Sequence, residues 1–358
     1  MKTKSDKTVR GLTEGSSGAK TKGRLVPIDM MVGMAMVLVV MGHMSVGYDP
    51  RWYSEGLHLW IYSFHMEMFV FLSAFLIRYT YKEVHSLLEY GQYIWRKFKK
   101  FFLWFLIIGV AVSLLACVVK GYACNGAYLW QSVKTMLIYP RHSEAAFLWY
   151  IYVLFGFYLV SPLFFKPPQW VRVLLCVGAL LLTMEQGNTF MCSHEFCQYS
   201  FFYCLGVLSA EWIEEIRGVK GWMWGIMALP FVAYSVWLIG EGYPHHVQMY
   251  QLGWWTTVIG VAALPFFYVV ARLAGRIGLV RNILTNISMS CYWIYLLQMF
   301  VIWGIVHIAA NHIPFGLFVA VATVAAILIP WALWKVWSLV KRKQKDNKKA
   351  RLPLQSSR

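Results

Sequence analysis

Apolar runs of about 20 residues, the length a helix needs to cross the hydrocarbon core of a bilayer, recur along the whole chain, separated by short polar or Pro/Gly-marked breaks. They fall at 26–47, 57–80, 101–120, 145–164, 170–184, 197–213, 221–240, 251–272, 284–309 and 314–340, the fifth and sixth being short. Helix is the expected form of each, because an open backbone in hydrocarbon leaves unpaired polar groups that cost several kcal/mol apiece. The pattern predicts an all-α, polytopic membrane protein with about ten transmembrane helices. It shows no second domain, long linker or strong internal repeat.

Composition agrees with the pattern. The chain is 59% hydrophobic and only 14% charged, against about 25% charged in ordinary soluble domains, and its mean hydropathy is +0.53. The net charge of +17 comes from 33 Lys and Arg against 16 acids. When the ten spans are threaded with the N-terminus inside, Arg51, Lys120, Lys134 and Arg141 are the basic residues left outside. That asymmetry is positive-inside topology, not a nucleic-acid footprint. It places the chain in the plasma (inner) membrane as a multi-pass protein with both termini cytoplasmic, and it excludes nucleic acid as a partner. Residues 1–24 read as a disordered basic cytoplasmic tail, 25–340 as the transmembrane domain and 341–358 as a second basic cytoplasmic tail. The first apolar run carries Asp29 and lacks a small-residue cleavage site, so it reads as a retained helix.

Ionisable and polar groups inside spans are functional candidates by default. In PIDMMVGMAMVLVVMGHMSVG, Asp29 lies near the inner end and His43 in the outer half. Fourteen residues make about four turns, so the two share a face about 21 Å apart. The second span, GLHLWIYSFHMEMFVFLSAFLIRY, brings His65 to a depth similar to that of His43, and the ninth places Gln298 in the same outer half. Each could equally be a packing residue or interhelical glue if taken alone. Glu67 faces almost the opposite side from His65 and would pair with Arg78 or line a cavity. At the inner mouth, QYIWRKFKKFF packs Arg96, Lys97, Lys99 and Lys100 together. Such a cluster suits polyphosphate, and equally suits anionic lipid or topology alone. Cys117, Cys176, Cys204 and Cys291 read as buried thiols, and a Cys192 to Cys197 bridge on the outer side is left open. The string CSHEFC does not match zinc spacing, so no metal is expected.

PIDMMVGMAMVLVVMGH resembles the first-helix signature of the acyltransferase family 3 integral membrane proteins, I-D-x-x-R-G-x-A ending in G-H. It supplies Asp29, Gly33, Ala35, Gly42 and His43. SFHMEMFVFLSAFLI resembles the family's F-H-M-P-L-F-F-F-L-S-G-F and supplies His65, Phe69, Phe71 and Ser73. Weaker agreement lies in Arg96 with Lys99 (an R-x-x-R pair), LWYIYVLFGFYLVSPLF and SCYWIYLLQMFV; the resemblance runs from about residue 24 to about 340. It implies a ten-helix enzyme that moves an acyl group, most often acetyl, to a hydroxyl of a cell-envelope or capsular carbohydrate or lipid-linked glycan. The donor would be cytoplasmic acyl-CoA (acetyl-CoA), a co-substrate and not a permanently bound cofactor, and the surroundings membrane lipid. His43 and His65 would be catalytic, Arg96, Lys99 and Lys100 would hold the donor, and Asp29, Ser73 and Gln298 would support them. The chain departs from the family at Val32, where Arg or Lys stands eleven residues before the histidine, at Gln298 in place of His, at Glu67 in place of Pro and at Ala74 in place of Gly. Those departures keep two alternatives open: a proton-coupled carrier or exporter of a polar or lipid-linked substrate using Asp29, Glu67 and the histidines, and a degenerate family member.

Overall fold

The structure, a computed structural model, describes residues 23–45, 52–183, 189–240, 254–309 and 313–351. The tail before residue 23, Arg51 and the last seven residues lie outside the described residues. In chain order the helices are α1 (Val26–Ser45), α2 (Trp52–Tyr62), α3 (His65–Tyr79), α4 (Leu87–Lys97), a π-helical turn (Phe98–Phe102), α5 (Leu103–Lys120) and α6 (Gly126–Ile138). Short 3-10 turns at Pro140–His142 and Ala146–Leu148 lead into α7 (Trp149–Phe164) and α8 (Gln169–Leu182), and another at Phe190–Cys192 leads into α9 (Ser193–Glu211). The chain continues through α10 (Ile213–Gly218), α11 (Gly221–Gly240), α12 (Trp255–Ala274), α13 (Gly278–Ala309) and α14 (Phe315–Arg351).

Each expected span meets a helix, and the protein is an all-α polytopic membrane protein with no strand among the described residues. Eight helical stretches among the described residues are long and apolar enough to cross a bilayer on their own. The other two expected spans differ for separate reasons. α8 is apolar but has only 14 residues, and α9 has 19 but opens on the polar SHEFCQ. α14 runs on through basic residues 341–351, because Lys, Arg, Gln and Ala are good helix formers and cations suit a helix C-terminus.

α1 and α3 form the centre. α1 packs on α13 and α14, and α3 packs on α9, so α1 buries Met30, Met31, Ala35, Met36 and Val40 on different sides. Two glycines let the central helices touch backbone to backbone. A Cβ at Gly33 would collide with the Leu284 carbonyl oxygen on α13, and one at Gly206 on α9 with the Phe71 carbonyl oxygen on α3. Gly33 of the first-helix motif is thus a packing requirement. The outer helices turn Leu174 and Leu181, Ile226 and Val236, Leu328 and Val336 outward, a surface suited to lipid and not to water.

The end of the bundle where α1 begins and α3 finishes, here the basic end, is tied by an ion triad. Glu211 at the end of α9 accepts from Arg78 Nε at 2.7 Å and from Arg172 Nη2 at 2.9 Å, joining α3, α8 and α9. Arg172 Nη1 also donates to the Phe165 carbonyl at 3.1 Å. This corrects the expected pairing of Arg78 with Glu67: the two are eleven residues apart on one helix, about 16 Å along its axis, and Glu211 is the nearer carboxylate. Cys192 and Cys197 are both thiols and not halves of a disulfide. Cys192 ends the 3-10 turn in a left-handed backbone conformation, while Cys197 lies inside α9.

Candidate functional site

Ser86 caps α4, accepting from the Glu89 N–H at 3.2 Å, while Glu89 Oε2 accepts from the His85 N–H at 2.8 Å. α4 then runs into the π turn FKKFF. A regular helix would have put Arg96, Lys99 and Lys100 on one face, but the wider turn changes the angular spacing. As a result Lys100 lines a cavity in the bundle. Lys97, which the motif comparison passes over, sits with Nζ 4.2 Å from the ring centre of Tyr158, another lining residue. Lys99 turns outward over Trp95, and Arg96 is exposed. The expected donor trio is therefore split, and the physical reason is one π turn.

The cavity has a volume of about 280 Å³. α1 contributes Val32, α3 Phe69, Ser73 and Leu76, α7 Tyr150 and Tyr158, and α13 Met289, Cys291, Tyr292 and Tyr295. Its walls are largely apolar and aromatic, with Lys100 at the basic end. At the inner end of the cavity Ser73 Oγ and Tyr150 OH share a hydrogen bond of 2.6 Å, Tyr295 OH donates to the Phe147 carbonyl oxygen, and the rings of Tyr150 and Tyr295 meet edge to face at 5.8 Å. These tyrosines close the cavity. Ser73 is where the motif comparison expects a supporting residue; its two tyrosine neighbours carry no sequence signal beyond being aromatic in a helix.

Beyond the tyrosines lie the expected polar residues. His65 is one turn past Phe69, about 6 Å along α3, Gln298 one turn past Tyr295, and His43 three turns past Val32, about 16 Å along α1. All three thus continue cavity-lining faces toward the far end. The two histidines have the same local geometry. His43 Nδ1 lies 2.8 Å from the Val39 carbonyl oxygen and His65 Nδ1 2.9 Å from that of Ile61. A carbonyl only accepts, so each Nδ1 carries the proton and each neutral ring keeps its lone pair on Nε2. His65 is buried and His43 half-buried. Gln298 is fully buried, and neither its Nε2 nor its Oε1 has a partner among the described residues.

Two further groups join this layer without having been expected there. The His58 and Tyr62 rings lie 3.9 Å apart, tilted to each other, and Tyr62 meets His65 edge-on at 4.6 Å; the spacing 58, 62, 65 suits one face of a continuous helix, which the break between α2 and α3 interrupts. Arg141, on the 3-10 turn Pro140–His142, lies 3.1 Å from Glu195 and 5.2 Å from the Trp149 ring centre. Two residues do not join. Asp29 stays at the basic end, paired with Arg24. Glu67 is buried against Gly260 and Phe202 on the other side of α3, so the described residues do not assemble Asp29, Glu67 and the histidines into a relay.

No solved structure matches the chain. The nodulation protein NolL of Sinorhizobium fredii (strain NBRC 101917 / NGR234) is 24% identical over 207 residues, which are 56% of this chain and 53% of that protein. The chain therefore spans about half the length of this relative. The family described as "Acyltransferase domain" matches residues 26–335, from the start of α1 into α14, and so takes in the cavity, the tyrosines that close it and both histidines. With nearly the whole helical bundle inside that match, the chain belongs to this membrane acyltransferase family.

Proposed function

We propose that the protein transfers an acyl group, acetyl in the simplest case, from cytoplasmic acyl-CoA to a hydroxyl of a cell-envelope or capsular carbohydrate or lipid-linked glycan. It does so from the plasma membrane, with the basic end and both termini cytoplasmic. One observation carries this reading: the faces that line a largely apolar cavity, with Lys100 at its basic end, continue to His65 one turn past Phe69 and to His43 three turns past Val32, each ring held through Nδ1 by a backbone carbonyl. The walls beyond Lys100 are largely apolar and aromatic, so the nucleotide stays at the mouth while the acyl-bearing arm passes inward. The acceptor approaches from the far end, where His43 is the more exposed of the pair.

In the reaction, His43 Nε2 accepts the proton of the acceptor hydroxyl as its oxygen attacks the thioester carbonyl. The new C–O bond forms, the C–S bond breaks, and the departing thiolate takes the proton from the imidazolium, giving ester and free CoA. The Nδ1–H bond to Val39 fixes the ring orientation throughout. His65 supports the same proton transfer from below. Arg141 stabilises the developing oxyanion through its field, and the unpartnered Gln298 amide donates to the acyl carbonyl. No permanently bound cofactor takes part. Mass spectrometry of surface glycans from cells with and without the gene tests the reading. Loss of acyl esters in the deletion, restored by the wild-type chain and not by His43→Ala, is expected; unchanged acylation would overturn it.

A further inference from the structure

Arg24, two residues before α1, stands at the mouth of the cavity without a role in the donor cluster. Its Nε pairs with Asp29, while Nη1 reaches Met289 Sδ and Nη2 the Thr285 carbonyl oxygen, both at 3.4 Å. Met289 lines the cavity together with Lys100 and Val32. The opposite lip is joined to the same helix, since Tyr292 OH donates to the Phe101 carbonyl at 3.0 Å within the π turn. A guanidinium thus borders the cavity through Met289, and an ammonium lines it at Lys100. A guanidinium has five N–H donors. Asp29 occupies one and the two long contacts engage two more, which leaves two for a ligand, and the side chain is 47% exposed.

We propose that Arg24 and Lys100, flanked by Lys97, form a polyphosphate site at the mouth of the cavity, with Asp29 positioning Arg24. This rests on the donor reading above, in which the ligand is the diphosphate of CoA. The wall at Val32 is apolar, so a phosphate gains nothing by entering and stops at the lip, where a guanidinium fork and an ammonium offer charge-assisted bonds. Arg24 thereby supplies from below the cation that a valine at position 32 withholds. Arg96 and Lys99, turned outward by the π turn, lie outside this site.

Binding of CoA, pantetheine and inorganic pyrophosphate to the full-length protein in lipid nanodiscs, measured by calorimetry, tests the site. Arg24→Gln should weaken CoA at least fivefold and leave pantetheine unchanged, Arg24→Lys should recover part of the loss, and Arg96→Gln with Lys99→Gln should matter less. Asp29→Asn should weaken CoA only while Arg24 is present, which a double-mutant cycle reads. A loss under fivefold in Arg24→Gln would overturn the site, and so would an equal loss for pantetheine, because Arg24 would then shape the cavity and not hold phosphate. If the wild type ignores CoA but binds pyrophosphate through Arg24, the anion site stands and the donor reading falls. If it binds neither, both fall.

Discussion

At Gln298 a primary amide is sealed in the bundle with neither end partnered among the described residues. An unsatisfied buried group of this kind costs about 1–3 kcal/mol, a debt that a bound acyl carbonyl or acceptor hydroxyl would relieve. Gln298→Leu should therefore hold or raise the thermal midpoint while lowering transfer at least tenfold. A leucine variant with full turnover would return Gln298 to the status of a packing residue. His43→Ala should abolish transfer with normal membrane abundance, because alanine leaves the apolar run of α1 around it intact; more than a tenth of wild-type acylation at equal expression would remove its catalytic role. These residues were legible in the sequence because depth and face follow from helical arithmetic: His43, His65 and Gln298 continue the faces that Val32, Phe69 and Tyr295 present to the cavity. Arg24, Lys97 and Arg141 were not, since nothing in a run of basic residues says which of them turns inward.

The spans themselves followed from hydropathy, but the junctions between helices did not. The π turn at Phe98–Phe102 is one such junction, and it separates Lys100, which lines the cavity, from the Arg96 and Lys99 that regular spacing would keep on its face. The break between α2 and α3 is another, with Ser63 donating its hydroxyl to the Trp60 carbonyl at 2.8 Å just before His65. Helix contacts give two tests. Gly33→Ala puts a methyl into the Leu284 carbonyl and should destabilise the fold by about 1–3 kcal/mol, as overpacking does; an unchanged melting temperature in nanodiscs would contradict the close approach of α1 to α13. Glu211→Ala strands Arg78 and Arg172. Removing one partner of a buried ion pair costs about 3–5 kcal/mol, so membrane abundance should fall sharply, with Glu211→Gln milder. Equal abundance of all three forms would show that the triad is not holding the basic end.

For the molecule as a whole, the sequence carries an expected sidedness in where the basic residues gather, whereas the choice of helix neighbours was not legible. A helix such as α1, apolar apart from Asp29 and His43, carries no polar face to say what it packs against; its packing on α13, with a close approach at Gly33, is what the fold adds. The account depends on that sidedness, with donor at the basic end, acceptor at the far end and the histidines between. Sealed inside-out membrane vesicles carrying their own glycan, supplied from outside with acetyl-labelled acetyl-CoA, test it most directly. Label should appear in the lumenal glycan with the wild-type chain and be absent with His43→Ala. Lumenal label that is independent of His43, or none at all from a wild-type protein that still binds CoA, would contradict it.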